Sequence, residues 1–378
     1  MLAQRAEAGR PIRAGLIGAG KFGSMFLAQA RHTPGLHVLG IADLDAGRAE
    51  RALAETGWPR EQGAAPSFAA ALETGATHIT DDSGSLIAAH GLDVVIDATG
   101  DGDIFAMAGA PFESDITEED IHHKINVAFT WGGVDMERYF EFRREHPEEY
   151  RAIRTEGRES GLSPDAGPHV MPRNDVALFM GPKLTGYSAI DVEDLTEVEI
   201  ESRRRMMQLL EFYKGQTPGF EDAWVMTTAP QMGTRHSRRL VGTKKIVREE
   251  WTAGKLHEDE IAISPPPNPR NPNVSIPLGS LIPVGVDNML AAGRNLSCDS
   301  TMHTFLRLIP QCWEMGQAAG VAAAVAANSG VRVRDVDVTE VRSQLAKQGV
   351  VLHQDVSVRL TQSERNVSDY SREIAQGH

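Results

Sequence analysis

The residues of this chain best suited to chemistry are three glycines in one short turn, an acid after the next apolar run, and an arginine and a histidine ahead of a proline-started helix. The turn is Gly18-Ala-Gly20-Lys-Phe-Gly23, and its pattern can cradle a diphosphate. In such a turn Gly18 makes the tight bend, Gly20 lets backbone amides approach phosphate oxygens, and Gly23 lets the next helix lie close on the strand. Amides at that helix start carry positive partial charge. Asp43 stands close to the spacing at which an acid takes the ribose hydroxyls of a dinucleotide, and its charge would repel a 2′-phosphate, favouring NAD over NADP. Two simpler readings stay open. The glycines could serve only turn and packing, and Asp43 could be a solvated strand-end acid capping the helix that begins near Ala46.

The surrounding pattern supplies the elements that such a turn needs. Ile12–Ile17 is a short apolar run, the stretch SMFLAQARH after the glycines is helical, and Pro34 and Gly35 stop it. A second strand, Leu36–Ala42, ends at Asp43. Helices over GRAERALAET and SFAAALE, a third strand at THIT and a helix over SGSLIAAH follow. The fourth strand is read across DVVIDATG, residues 93–100, as the continuous apolar run that a parallel sheet covered on both faces requires.

Taken together, residues 10–100 resemble the nucleotide-binding half of NAD(P)-dependent oxidoreductases related to homoserine dehydrogenase. From residue 97 the chain changes character. DATGDGDIFAMAGAPFE, INVAFTWGGVD (125–135), TEVEIESRRRMMQLLEF, PGFEDAWVMTTAPQMGTRHSRRLVG and VGVDNMLAAGRNLSCDSTMHTFLRLIPQCWEMGQAAGVAAA resemble, in order and spacing, the FAD-dependent oxidoreductases, up to about residue 352. The chain therefore reads as a mosaic joined at VIDATG. It departs from the flavoprotein pattern in having aspartate rather than glutamate at the ribose position and no counterpart of the flavin-cradling loop.

The flavoprotein resemblance implies that Gly293 and Arg294 approach the cofactor's phosphate or ribityl chain, and that Thr99 and Gly100 approach its adenosine side. Reduced flavin gathers negative charge near N1 and the C2 carbonyl. Arg307 and the amides of the helix begun by Pro310 would stabilise that charge. His303, expected in the loop before this helix, could act as general base on a substrate hydroxyl, the alternative being a structural histidine. Gly316, Gly320 and Ala323 would give the helix a flat face for the sheet. The run Arg235-His236-Ser-Arg238-Arg239 could clamp a carboxylate or phosphate, or could be a salt-bridged cluster.

Other features have structural readings. His122 and His123 are adjacent and cannot both face one ion from a regular element, so no metal is assigned. Cys298 and Cys312 are read as ordinary buried or half-buried thiols. Thr196 and Glu199 form a capping box ahead of a helix ended by Gly215. MERYFEFRREHPEEYRAIR is helical but interrupted at Pro147, and ISPPPNPRNPNVSIP is too proline-rich for a helix or central strand.

Bulk composition excludes several classes. With 52 acidic against 38 basic side chains in 378 residues the net charge is −14, which offers no bulk attraction to nucleic acid or anionic lipid. No apolar run approaches the roughly 20 residues of a membrane span, and two cysteines suit a reducing, cytoplasmic setting. The expected fold is α/β: a Rossmann-like parallel sheet of order 3-2-1-4-5 built from 10–103 and 286–352, an inserted α+β substrate domain over 104–285, and a polar tail over 353–378. The expected activity is hydride transfer from a small-molecule substrate to FAD. The alternatives are an NAD-dependent dehydrogenase and a non-catalytic dinucleotide-binding protein born of a gene fusion. The sequence does not reach the oligomeric state.

Overall fold

Short runs of branched apolar residues make the first three strands, Ile12–Ile17, Leu36–Ala42 and His78–Thr80, which pair in parallel with Leu36–Ala42 in the middle. The computed structural model describes residues 2–114, 125–162, 167–266 and 271–353. Its contacts divide the chain into two units. One comprises the described residues within 1–96, 286–290 and 317–349, and the other those within 97–285, 291–316 and 350–353.

In the first unit the middle strand is buried along most of its length, as a strand packed by two apolar clusters must be. Leu27, Val38, Ile41 and Leu53 form one cluster with the helices Lys21–Ala30 and Ala46–Glu55, and Leu39 joins Ala65 and Ala71 in the other. The glycine turn has the expected shape. Gly18 sits at φ +89, where only glycine is unstrained, and a Cβ on Gly23 would lie 2.2 Å from the Gly18 carbonyl oxygen. Gly20 is different: its φ of −73 suits any residue, and no protein atom lies within 4 Å of a Cβ built there.

The fourth strand is shorter than its sequence suggests. Only Val95–Asp97 is extended, paired with Met289–Ala291, and Ile96 and Ala98 are exposed rather than covered. The Asp97 side chain ends it by drawing the following amides into a turn. The long helix Ile309–Ser329 also departs from expectation. Gly316 and Gly320 are exposed with nothing near a Cβ, and within 317–329 the buried positions are the alanines and valines of the opposite face, Ala318, Ala319, Ala322 and Val325 among them. Among the described residues no helix is long and apolar enough to cross a membrane.

The second unit holds an antiparallel four-stranded sheet in the order His169–Val170, Val176–Phe179, Phe129–Gly132, Trp224–Thr228. The helix Val192–Gln216 contributes Met206, Leu209, Leu210 and Tyr213 to its core beside Phe129, Trp131, Phe179 and Phe220. Trp131 is packed within aromatic distance of Phe129, Phe179, Tyr213 and Phe220, which fixes the sheet register through shape. The capping box is corrected here. Asp191 caps this helix through the Glu193 and Asp194 amides, while the Thr196 hydroxyl donates back to the Val192 carbonyl. Pro147 does divide the charged stretch, into Met136–Glu145 and Pro147–Glu159. The ends of the proline-rich segment are strand after all: Glu260–Ser264 pairs antiparallel with Val274–Pro277. His122, His123 and residues 354–378 lie outside the described residues.

Gly23→Ala should lower stability by about 1–3 kcal/mol, because the added methyl meets backbone that cannot rotate away. Gly20→Ala should change it by less than about 0.5 kcal/mol. Urea unfolding of both variants measures the contrast.

Candidate functional site

The second unit gathers most of the predicted functional residues around one buried carboxylate. Asp97 is fully buried and accepts hydrogen bonds from Thr99 N (3.0 Å), Thr99 Oγ1 (2.7 Å), Phe105 N (2.9 Å) and Asn295 Nδ2 (3.2 Å). Four neutral donors satisfy it, the arrangement a buried anion needs in the absence of a cation. Its own carbonyl takes the Ala292 amide at 2.8 Å, so one residue ties the strand end, the turn 99–103 and the loop that begins at Gly293. Asp97 was not among the sequence candidates. An acid at the end of an apolar run, with threonine two residues on, was the available signal.

Thr99 and Gly100 lie in that turn. The Thr99 hydroxyl gives its proton to Asp97 and accepts from the Gly102 and Asp103 amides, so its polar capacity is committed to the turn. Gly100 has φ +78, and Arg294 Nε lies 2.9 Å from where a Cβ would be. Arg294 is itself anchored on Asp101 Oδ1 (2.7 Å), Ser237 Oγ (3.0 Å) and Thr234 Oγ1 (3.4 Å). Gly293, with φ +129, carries the chain into this loop.

His303 is not in a loop. It lies within the helix Ser300–Leu306, is 1% exposed, and donates from Nε2 to the Arg294 carbonyl at 2.7 Å, since a carbonyl can only accept. Burial pushes its pKa down to about 3, with the nearby charges of Arg239, Arg307 and Arg294 acting in the same direction. So buried, the ring fixes the Arg294 backbone, and its place in a helix corrects the expectation of a loop. Arg307 follows at the end of that helix. Burial, then the charges of Arg235 and Arg294, push its guanidinium down to about 10.

The basic run divides. Arg238 pairs with Asp103 at 2.7 Å, and the buried Arg239 pairs with Glu113 at 3.2 Å and contacts His236 Nε2 at 2.7 Å. Among the described residues Arg235 has a single side-chain hydrogen bond, from Nε to Asn126 Oδ1. Cys298 and Cys312 have thiols pushed up by burial, as inert half-buried or buried cysteines do.

In the first unit Asp43 is neither solvated nor a helix cap. It is nearly buried, and its two oxygens accept from Ala19 N (2.7 Å) and Asp45 N (2.9 Å), fastening the glycine turn to the end of the second strand. Asp45 occupies the helix N-cap position instead. The helix Lys21–Ala30 has Gly20 at its N-cap and no side chain capping it, so its first amides stay open to an anion.

A family model described as FAD dependent oxidoreductase matches residues 74–345. The chain belongs to that family. The match reaches back past VIDATG to include the third strand, so the expected joint at residue 97 falls inside the family's region, and nothing found supports a homoserine dehydrogenase-like segment. No curated protein matches the chain.

Two measurements follow. Asp97→Ala should cost about 3 kcal/mol or more, because it strands buried donors on three chain segments, with Asp97→Asn smaller and of the same sign. For His303, the folded ring stays neutral down to about 3, whereas in the unfolded chain it titrates near its ordinary value of about 6.5. Between those values protons bind only the unfolded state, so stability falls as pH drops through that window. His303→Gln, which keeps a donor for the Arg294 carbonyl, should show a shallower decline between pH 7 and pH 5 in urea midpoints. Parallel declines would remove the assignment.

Proposed function

We propose that the protein is an FAD-dependent oxidoreductase that oxidises a small organic molecule, with the diphosphate of the adenine dinucleotide held by the Gly18 to Gly23 turn. The family membership supplies the reaction class. The observation that carries the binding reading is Gly20: neither its φ nor any protein neighbour calls for glycine, and it stands at an uncapped helix N-terminus. Bareness there is explained by a close external group. The residues present thus fit the phosphate portion of such a cofactor.

When bound, the flavin would supply a two-electron acceptor, taking both electrons with one hydride. The chain's own part is to bind and to set charge. Gly18 and Gly23 shape the turn, Asp43 holds it through the Ala19 amide, and the first amides of Lys21–Ala30 face the phosphates. Taken by itself, the second unit concentrates positive charge at Arg307 and Arg294, with Gly293 beside them, and positive charge of that kind would favour an anionic reduced flavin. Thr99 and Gly100 form the turn from which the adenosine side would be approached. The sheet order 3-2-1-4-5 is part of the same proposal. It is supported by the observed neighbours 3-2-1 among the first strands and by the pairing of Val95–Asp97 with Met289–Ala291. Binding of NAD has less support, because the family that the chain belongs to is described by FAD.

Purified protein should be yellow and release FAD on denaturation. Gly20→Ala, whose methyl meets nothing within 4 Å beyond its chain neighbours, should leave the melting temperature within a degree or two while cutting flavin content by about tenfold or more. A colourless protein stabilised by NAD alone would replace this reading with the dehydrogenase one.

A further inference from the structure

The arginines of the run 235–239 and of the segment 294–307 have unequal partners. Arg238, Arg239 and Arg294 each have a carboxylate. Arg235 and Arg307 have none among the described residues, and the Arg307 Nε is shielded from solvent without a hydrogen-bond acceptor. Both are partly buried, and burial lowers the pKa of each.

The surrounding contacts place them together. Arg294 is fixed on Thr234 and Ser237, the residues that flank Arg235, and its carbonyl receives His303 Nε2, one helical turn before Arg307. The Arg235 side is held by Asn126, whose carbonyl also takes the Gly233 amide at 2.8 Å. Arg235 and Arg294 are the positive charges that act on Arg307 from nearby, and both repel it, with the smaller influence of the Cys312 thiol in the opposite direction. Uncompensated, partly desolvated guanidiniums are costly, and their forks match the oxygens of a carboxylate or phosphate. Leu308, Ile309 and Trp313, which follow Arg307 directly, are large, apolar and exposed. An anion with a carbon body answers both features.

We propose that Arg235 and Arg307, with Arg294 beside them, form the binding site for the oxyanion of the substrate, a small organic acid bearing a carboxylate or a phosphate ester. The proposal deepens the oxidoreductase reading and rests on it for the identity of the anion as the compound oxidised. Leu308, Ile309 and Trp313 would meet the acid's apolar portion.

The test is thermal unfolding and titration calorimetry of the full chain with sodium malonate and with inorganic phosphate, against sodium chloride at equal ionic strength, with flavin content measured on the same samples. Malonate or phosphate should raise the melting temperature beyond chloride, malonate alone pointing to a carboxylate and phosphate alone to a phosphate ester. Arg235→Gln and Arg307→Gln should each weaken the anion by about 10- to 100-fold. Without anion they should melt no lower than wild type, because each removes a repulsive charge, whereas a structural arginine would melt lower when removed. Arg307→Lys, which keeps the charge and loses the fork, should fall between, and Arg238→Gln should keep the anion response. The site is overturned if neither anion acts beyond chloride or if the glutamine variants respond like wild type. Bound flavin with no anion response sinks this inference alone. An anion response without flavin keeps the site and overturns the identification of its ligand as an oxidised substrate.

Discussion

The Asp97 carboxylate is the constraint on which the second unit's site depends. It is a formal charge with no exposure to water, held by two amides, a hydroxyl and a side-chain amide from three separate stretches of chain. Burying a charge in this way is tolerable only while every donor is present, so the turn after the strand, the helix start at Phe105 and the loop carrying Asn295 have little freedom to move independently. Arg294, adjacent to Asn295, inherits that fixity, and so does the basic loop on which it is anchored. The backbone of this unit is held by a group closed off from solvent.

Fixity of the backbone gives the arginines their meaning. Arg235, Arg238, Arg239, Arg294 and Arg307 lie on these tied segments, and a solvated cluster would let each find an acid. Among the described residues Arg238, Arg239 and Arg294 have done so and Arg235 and Arg307 have not. His303 contributes to that outcome without carrying charge. Kept neutral by burial and by its positive neighbours, it pins the Arg294 carbonyl and adds nothing to the repulsion. A protonated ring at that place would make a fourth positive charge among Arg239, Arg294 and Arg307.

In the first unit the corresponding device is Asp43. Its position after the second strand suggested a ribose contact, yet its oxygens hold the Ala19 and Asp45 amides. The glycine turn then has a rigid back, and the front, at Gly20, is left bare. A turn stiffened on one side and open on the other is suited to a ligand that brings its own negative charge.

Local order was legible in the sequence because it rests on short-range rules: apolar runs gave the first three strands, glycine and proline gave the turns, and Pro147 split its helix as the missing amide requires. The glycine turn was legible too, since Gly18 and Gly23 answer to φ and to a carbonyl a few residues away. Partnership across long separations was not. Nothing in the string 235–239 says that Arg238 and Arg239 find acids while Arg235 does not, because Asp103 and Glu113 are more than a hundred residues distant. The shortening of DVVIDATG to Val95–Asp97, the burial of His303 and the exposure of Gly316 and Gly320 were likewise decided in three dimensions. Residue type sets what a group can do, and the tertiary structure decides which neighbours and how much water it meets while doing it.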